Sequence, residues 1–121
     1  MNIHESAEDY LERILMLSLK KEKVHSIDIA NDMGYKKPSI SRAVKNLRED
    51  GYIIFHDDGA ITLTEKGAEI AQRIYERHEI LTKAFIKLGV DPKVANDDAC
   101  KVEHDLSEET FQAIKNSLNK Q

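Results

Sequence analysis

The stretch that decides the fold runs from Ser26 to Leu63: SIDIANDMGYKKPSISRAVKNLREDGYIIFHDDGAITL. Ser26 stands where a cap serves the free amide groups of a short helix carrying Ile27, Ile29, Ala30 and Met33, and Gly34 follows as its stop. Pro38 suits the first turn of a second helix, whose Ile40, Ala43, Val44 and Leu47 recur at three, four and seven residues before Gly51 closes it. Two helices joined by so short a turn make a helix-turn-helix. The period then changes. Tyr52 to Phe55 and Ala60 to Leu63 are β-prone, and Asp57-Asp58-Gly59 between them provides the positive-φ position of a hairpin turn. A hairpin directly after a helix-turn-helix is a wing, so this stretch predicts a winged helix, in which the second helix of the pair enters the major groove of DNA.

Working outward, Ser6-Ala-Glu-Asp9 has the form of a capping box, and Tyr10, Leu11, Ile14, Leu15 and Leu19 recur helically, which predicts a first helix over about 6–20. Beyond the wing, Thr64 can cap a long helix with Ile70, Ile74, His78, Leu81, Phe85 and Leu88 along one stripe, ended by Gly89. Asp91-Pro92 opens a helix through about Leu106, and Ser107-Glu108-Glu109 opens a last one with Phe111, Ile114 and Leu118 inward. The predicted fold is mainly α: a winged helix-turn-helix over 1–63, then an α-helical domain over 64–121. The apolar stripe of the long helix exceeds what so small a unit covers alone, which predicts a homodimer.

With 121 residues, 40% hydrophobic and 33% charged, the chain has the composition of an ordered globular protein, which excludes a large multidomain enzyme. No apolar run approaches the roughly 20 residues that cross a bilayer. No export or organelle leader is read, and the single cysteine, Cys100, fits a reducing cytoplasm. The net charge of −4 by itself argues against a polyanionic partner. Its distribution reverses that: positions 20–48 hold eight bases and three acids, whereas positions 91–110 hold seven acids and two bases. One surface therefore suits a polyanion and another a cation, although two differently solvated faces would read the same on charge alone.

On the second helix of the pair, Lys36, Lys37, Ser39, Ser41, Arg42 and Lys45 avoid the apolar stripe and face outward together. Lysine and serine suit phosphate oxygens, and Arg42 can reach guanine O6 and N7 with its fork. A basic face used only for protein contacts is the alternative. Towards the C-terminus, Cys100, Glu103 and His104 are spaced i, i+3, i+4, so a thiol, a carboxylate and an imidazole share one helical face. Asp9 and Glu12, spaced i, i+3, present two carboxylates from the first helix, and His78 interrupts the stripe from Ile74 to Leu81. Singly, each has a plain structural explanation: a cap, a surface ion pair, a satisfied core histidine, a small buried thiol. Together the six are a candidate metal constellation, harder to dismiss than any one member.

At these motifs the sequence resembles the metal-dependent repressors of the diphtheria toxin repressor and manganese transport regulator type. The resemblance rests on Glu8-Asp9-Tyr10-Leu11-Glu12, Lys37-Pro38-Ser39-Ile40-Ser41, Leu63-Thr64-Glu65-Lys66-Gly67, Arg77-His78-Glu79-Ile80-Leu81, and the run from Asp98 to Ser107. It implies a homodimer in which the helices after the wing form both the interface and the metal sites. It implies Asp9, Glu12, His78, Cys100, Glu103 and His104 as ligands. Asp9, Glu12, His78, Glu103 and His104 match the manganese-type branch; Cys100 matches the iron-type branch, where the manganese type has Glu. Two further iron-type ligands are replaced by Thr82 and Asn96, and the SH3-like domain of the longer branch is not expected after Gln121.

Carboxylates and imidazoles suit Mn²⁺ or Fe²⁺, with Co²⁺ and Zn²⁺ expected to bind in vitro by the Irving–Williams order. The implied function is a metal-responsive repressor that binds palindromic operator DNA, its metal offsetting the mutual repulsion of the acidic ligands. A winged-helix regulator without metal, sensing an organic ligand or redox state, is the rival. An enzyme using Cys100 and His104 is not expected, because no glycine-rich loop or oxyanion-hole pattern accompanies them.

Overall fold

The computed structural model describes residues 5–119, and the order is α1 (Glu5–Ser18), α2 (Ser26–Met33), α3 (Lys37–Glu49), β1 (Ile53–Phe55), β2 (Ile61–Leu63), α4 (Glu65–Lys87), α5 (Pro92–Val102) and α6 (Glu108–Asn119). The chain forms two compact units that divide at Gln72/Arg73, within α4, whereas the sequence reading divides it after Leu63.

In the N-terminal unit, Leu11 and Ile14 of α1, Ile29 and Ala30 of α2, and Ile40, Val44 and Leu47 of α3 are buried together with Tyr52, Ile53, Ile61 and Ala71. The helical recurrence of these residues is thus the recurrence of a shared core. Gly34, at φ 73°, ends α2 in the left-handed region, and its amide donates to the Ala30 carbonyl. The wing strands pair antiparallel with Ile53 opposite Leu63 and Phe55 opposite Ile61. Gly59 turns the hairpin at φ 84°, while the Asp58 carboxylate accepts from the Ala60 amide. Val24 adds a one-residue third strand, its carbonyl accepting from the Ile61 amide at 2.7 Å.

Thr64 joins the wing to α4. Its hydroxyl donates to the Gly51 carbonyl and accepts from the Gly67 amide at 3.1 Å, so it caps the helix as its position predicts. Gly67 is required there: a Cβ would lie 2.1 Å from the Tyr52 carbonyl oxygen, which already accepts from the Thr64 amide.

In the C-terminal unit, Ile74 and Leu81 of α4, Ala95 and Ala99 of α5, and Phe111 of α6 are buried. Asp91 caps α5 through the Lys93 amide and Ser107 caps α6 through the Thr110 amide. Leu88 is 82% exposed, and a groove of about 510 Å³ runs between the end of α4 and α6, lined by Ala84, Phe85, Leu88, Ile114 and Leu118 among others.

Four local expectations need correcting. α1 stops at Ser18, not Lys20, because the Ser18 hydroxyl donates to the Leu15 carbonyl and Leu19 is left exposed outside the core. Ser6 lies inside α1 and does not cap it. Ser26 likewise lies inside α2; the cap position is His25, whose amide donates to the Asp28 carboxylate at 2.8 Å. α5 ends at Val102, so Glu103 and His104 stand in the turn that follows it, not on the helix. Glu103 nevertheless keeps right-handed helical angles and its amide still donates to the Ala99 carbonyl, so the face shared with Cys100 survives.

Candidate metal centre and nucleic-acid interface

His78 projects from the middle of α4, Cys100 from the last turn of α5, and Glu103 from the turn beyond. Their ligating atoms all lie within 4.8 Å of one another. His78 Nδ1 is 3.0 Å from Glu103 Oε2 and 3.6 Å from Cys100 Sγ, while His78 Nε2 meets Asn96 Oδ1 at 2.7 Å. Asn96 therefore orients the imidazole with Nε2–H outward, which leaves Nδ1 as the atom turned to the acidic donors. The Cys100 sulfur and then the Glu103 carboxylate hold the His78 pKa up at about 11, outweighing the burial that would lower it. Without a metal the site thus carries its own cation, the imidazolium. Ligation requires neutral imidazole, so binding of a divalent ion here releases a proton and strengthens as pH rises.

Glu103 decides whether a metal fits. Its side chain is fully buried, and its second oxygen, Oε1, has no hydrogen-bond partner. His104 Nε2 lies 3.5 Å from Oε1, on a side chain that is itself 2% exposed. A buried carboxylate oxygen left without a donor is costly, and a coordinated cation is one of the few groups that would satisfy it. The donor set of carboxylate, imidazole and thiol suits a first-row divalent ion. Asp9 and Glu12 stand one turn apart on α1 in the N-terminal unit; Glu12 is buried and Asp9 half-buried.

Two residues of this neighbourhood have roles that the sequence reading does not assign. Asn96 sits on α5 without any periodic signal, and its role shows only once His78 is placed beside it. Arg77 is 7% exposed. Its one signal is the spacing Ile74, Arg77, Leu81, which puts a cation on the buried stripe of α4.

On α3 and its N-cap Lys36, the side chains of Lys36, Lys37, Ser39, Ser41, Arg42 and Lys45 are all exposed, while Ile40, Val44 and Leu47 face the core. Among the described residues none of these six takes part in the unit's ion pairs, which include Arg13 with Asp32, Lys21 with Asp28 and Lys23 with Asp58. Their donors are uncommitted, as phosphate and base-edge contacts require.

Fold and donor set together define a winged-helix protein whose helical C-terminal unit carries a metal-ligand cluster. Comparison with known proteins gives the family. The model for the N-terminal DNA binding domain of iron dependent repressors matches residues 2–61, and that for their metal binding and dimerisation domain matches residues 64–121. An uncharacterized HTH-type transcriptional regulator of Methanocaldococcus jannaschii is 35% identical over 118 residues, 96% of this chain and 94% of that one. The transcriptional regulator MntR of Salmonella typhimurium is 33% identical over 110 residues, 91% of this chain and 70% of that one. Among solved structures, a manganese-dependent transcriptional repressor in complex with manganese has a TM-score of 0.86 at 29% identity, covering 93% of this chain and 52% of that one. The manganese regulator SloR has a TM-score of 0.83 at 27% identity, covering 98% and 55% respectively. The chain spans about half the length of those two structures. It belongs to the metal-dependent repressor family of the diphtheria toxin repressor and manganese transport regulator type, a family of transcriptional regulators.

Proposed function

We propose that this chain is a metal-responsive transcriptional repressor that binds palindromic operator DNA as a cytoplasmic homodimer when Mn²⁺ or Fe²⁺ is bound, and is not an enzyme. The observation that carries this reading is Glu103, fully buried with one oxygen unpartnered, between His78 and His104. The names of relatives that contain manganese support the choice of a hard divalent ion.

In this reading His78, Cys100, Glu103 and His104 hold the metal, and Asp9 and Glu12 provide the remaining carboxylates, one helical turn apart. When bound, the ion supplies the positive charge that balances these acidic donors. Asn96 fixes which His78 nitrogen faces the donors, and burial excludes water from Glu103. The division of labour follows the reading of 1–63 as DNA-binding and 64–121 as metal-binding and dimerising. Exposed Leu88 and the groove beside it support pairing of two copies through the latter. Pairing would set two α3 helices near the roughly 34 Å half-site spacing of a palindrome.

Titration with Mn²⁺ followed by electron paramagnetic resonance tests the metal assignment. Glu103→Gln keeps the shape and one oxygen but loses the charge, and should weaken Mn²⁺ binding by at least about 100-fold, the upper end of what even an indirect partner costs. Unchanged Mn²⁺ affinity in a folded Glu103→Gln protein contradicts it.

A further inference from the structure

Arg77 is a buried cation that touches none of the donor atoms. Its Nη1 donates to the Glu103 carbonyl at 3.1 Å and to the Leu106 carbonyl at 2.6 Å, and its Nη2 donates to Glu108 Oε2 at 3.2 Å. The guanidinium carbon lies 5.2 Å from the centre of the Phe111 ring. Guanidinium is permanently charged and planar, so three directed donors fix the groups around it in a way that a lysine ammonium cannot.

The partners are telling. The Glu103 and Leu106 carbonyls belong to the turn that leaves α5, where helix carbonyls lose their amide partners and the dipole is negative. Arg77 satisfies that end, which lets α5 stop at Val102 although apolar spacing continues to Leu106. Arg77 and His78 are adjacent on α4, about 100° apart around the helix. One turn of α4 thus grips Glu103 twice, its backbone carbonyl through Arg77 and its carboxylate through His78.

We propose that Arg77 is a positioning residue of the metal centre: by holding the carbonyls of the turn from Glu103 to Leu106, it sets where the Glu103 carboxylate and the His104 ring sit. The inference rests on the metal reading above. A ligand turn held this way is preorganised, so loss of the hold costs affinity and alters geometry without removing any donor.

The test uses the full chain, with the Co²⁺ visible spectrum as the geometric readout and Mn²⁺ affinity as the energetic one. Arg77→Met should weaken Mn²⁺ binding by about 10–100-fold and change the Co²⁺ ligand-field bands, with the metal-free circular dichroism retained. Arg77→Lys, which suffices where Arg77→Met does not fold, should recover part of the affinity but not the parent spectrum, since ammonium cannot span both carbonyls. Parent-like Co²⁺ bands and Mn²⁺ affinity within twofold in either folded Arg77 variant overturn the proposal while the metal reading stands. Absence of Co²⁺ and Mn²⁺ binding by the parent chain overturns both.

Discussion

At the scale of single residues, Cys100 is where this chain departs from an all-oxygen, all-nitrogen donor set. Its sulfur lies 3.6 Å from His78 Nδ1 and within the 4.8 Å cluster with Glu103, so it stands among the atoms that could hold a metal there. Sulfur ligation of Co²⁺ should give a near-ultraviolet charge-transfer band in the parent protein that Cys100→Ala abolishes; its absence at saturating Co²⁺ shows that Cys100 does not ligate. A thiolate should also tilt relative affinity toward Fe²⁺, Co²⁺ and Zn²⁺. The sequence makes His78, Cys100, Glu103 and His104 visible because local spacing survives the end of α5: Glu103 keeps helical angles although the helix has stopped. Arg77 and Asn96 are invisible at that level for a physical reason. Their partners are main-chain carbonyls and a ring far along the chain, which no local spacing encodes.

At the scale of elements, α3 and the junction of the wing with α4 carry the argument. Arg42 and Lys37 are both exposed on α3, yet their chemistry separates them. Arg42→Ala should cost about 1–3 kcal/mol at the operator and relax discrimination at one or two base pairs. Lys37→Ala should weaken binding to all sequences and lower the salt slope by about 1. Equal losses on specific and random duplex for Arg42→Ala would remove its base-reading role. At the junction, Gly67→Ala puts a methyl 2.1 Å from the Tyr52 carbonyl, which is backbone and cannot swing away. Chemical denaturation should show a loss of about 2–3 kcal/mol, of the kind overpacking produces; a variant within 0.5 kcal/mol would mean that the junction yields. The helix-turn-helix and hairpin are readable from sequence because proline, glycine and apolar period coincide there. The Val24 strand is not, because a single paired residue has no period.

At the scale of the whole molecule, the chain forms two compact units with different chemistry. The first presents six uncommitted polar and basic side chains on α3 and its N-cap; the second brings a half-buried imidazole and thiol to a buried carboxylate that has one oxygen unpartnered. The account's central claim is that the second controls the first, so that metal and DNA each tighten the other's binding. The direct measurement is fluorescence anisotropy on a palindromic duplex selected from a random library with this protein and Mn²⁺. Affinity is compared with and without Mn²⁺, for the parent chain and for Glu103→Gln. The account predicts that Mn²⁺ raises the parent's affinity by at least about tenfold, a coupling in the usual 1–3 kcal/mol range, and leaves that of Glu103→Gln near its metal-free value. Equal affinity with and without Mn²⁺ in the parent, or the same enhancement in Glu103→Gln, would contradict it.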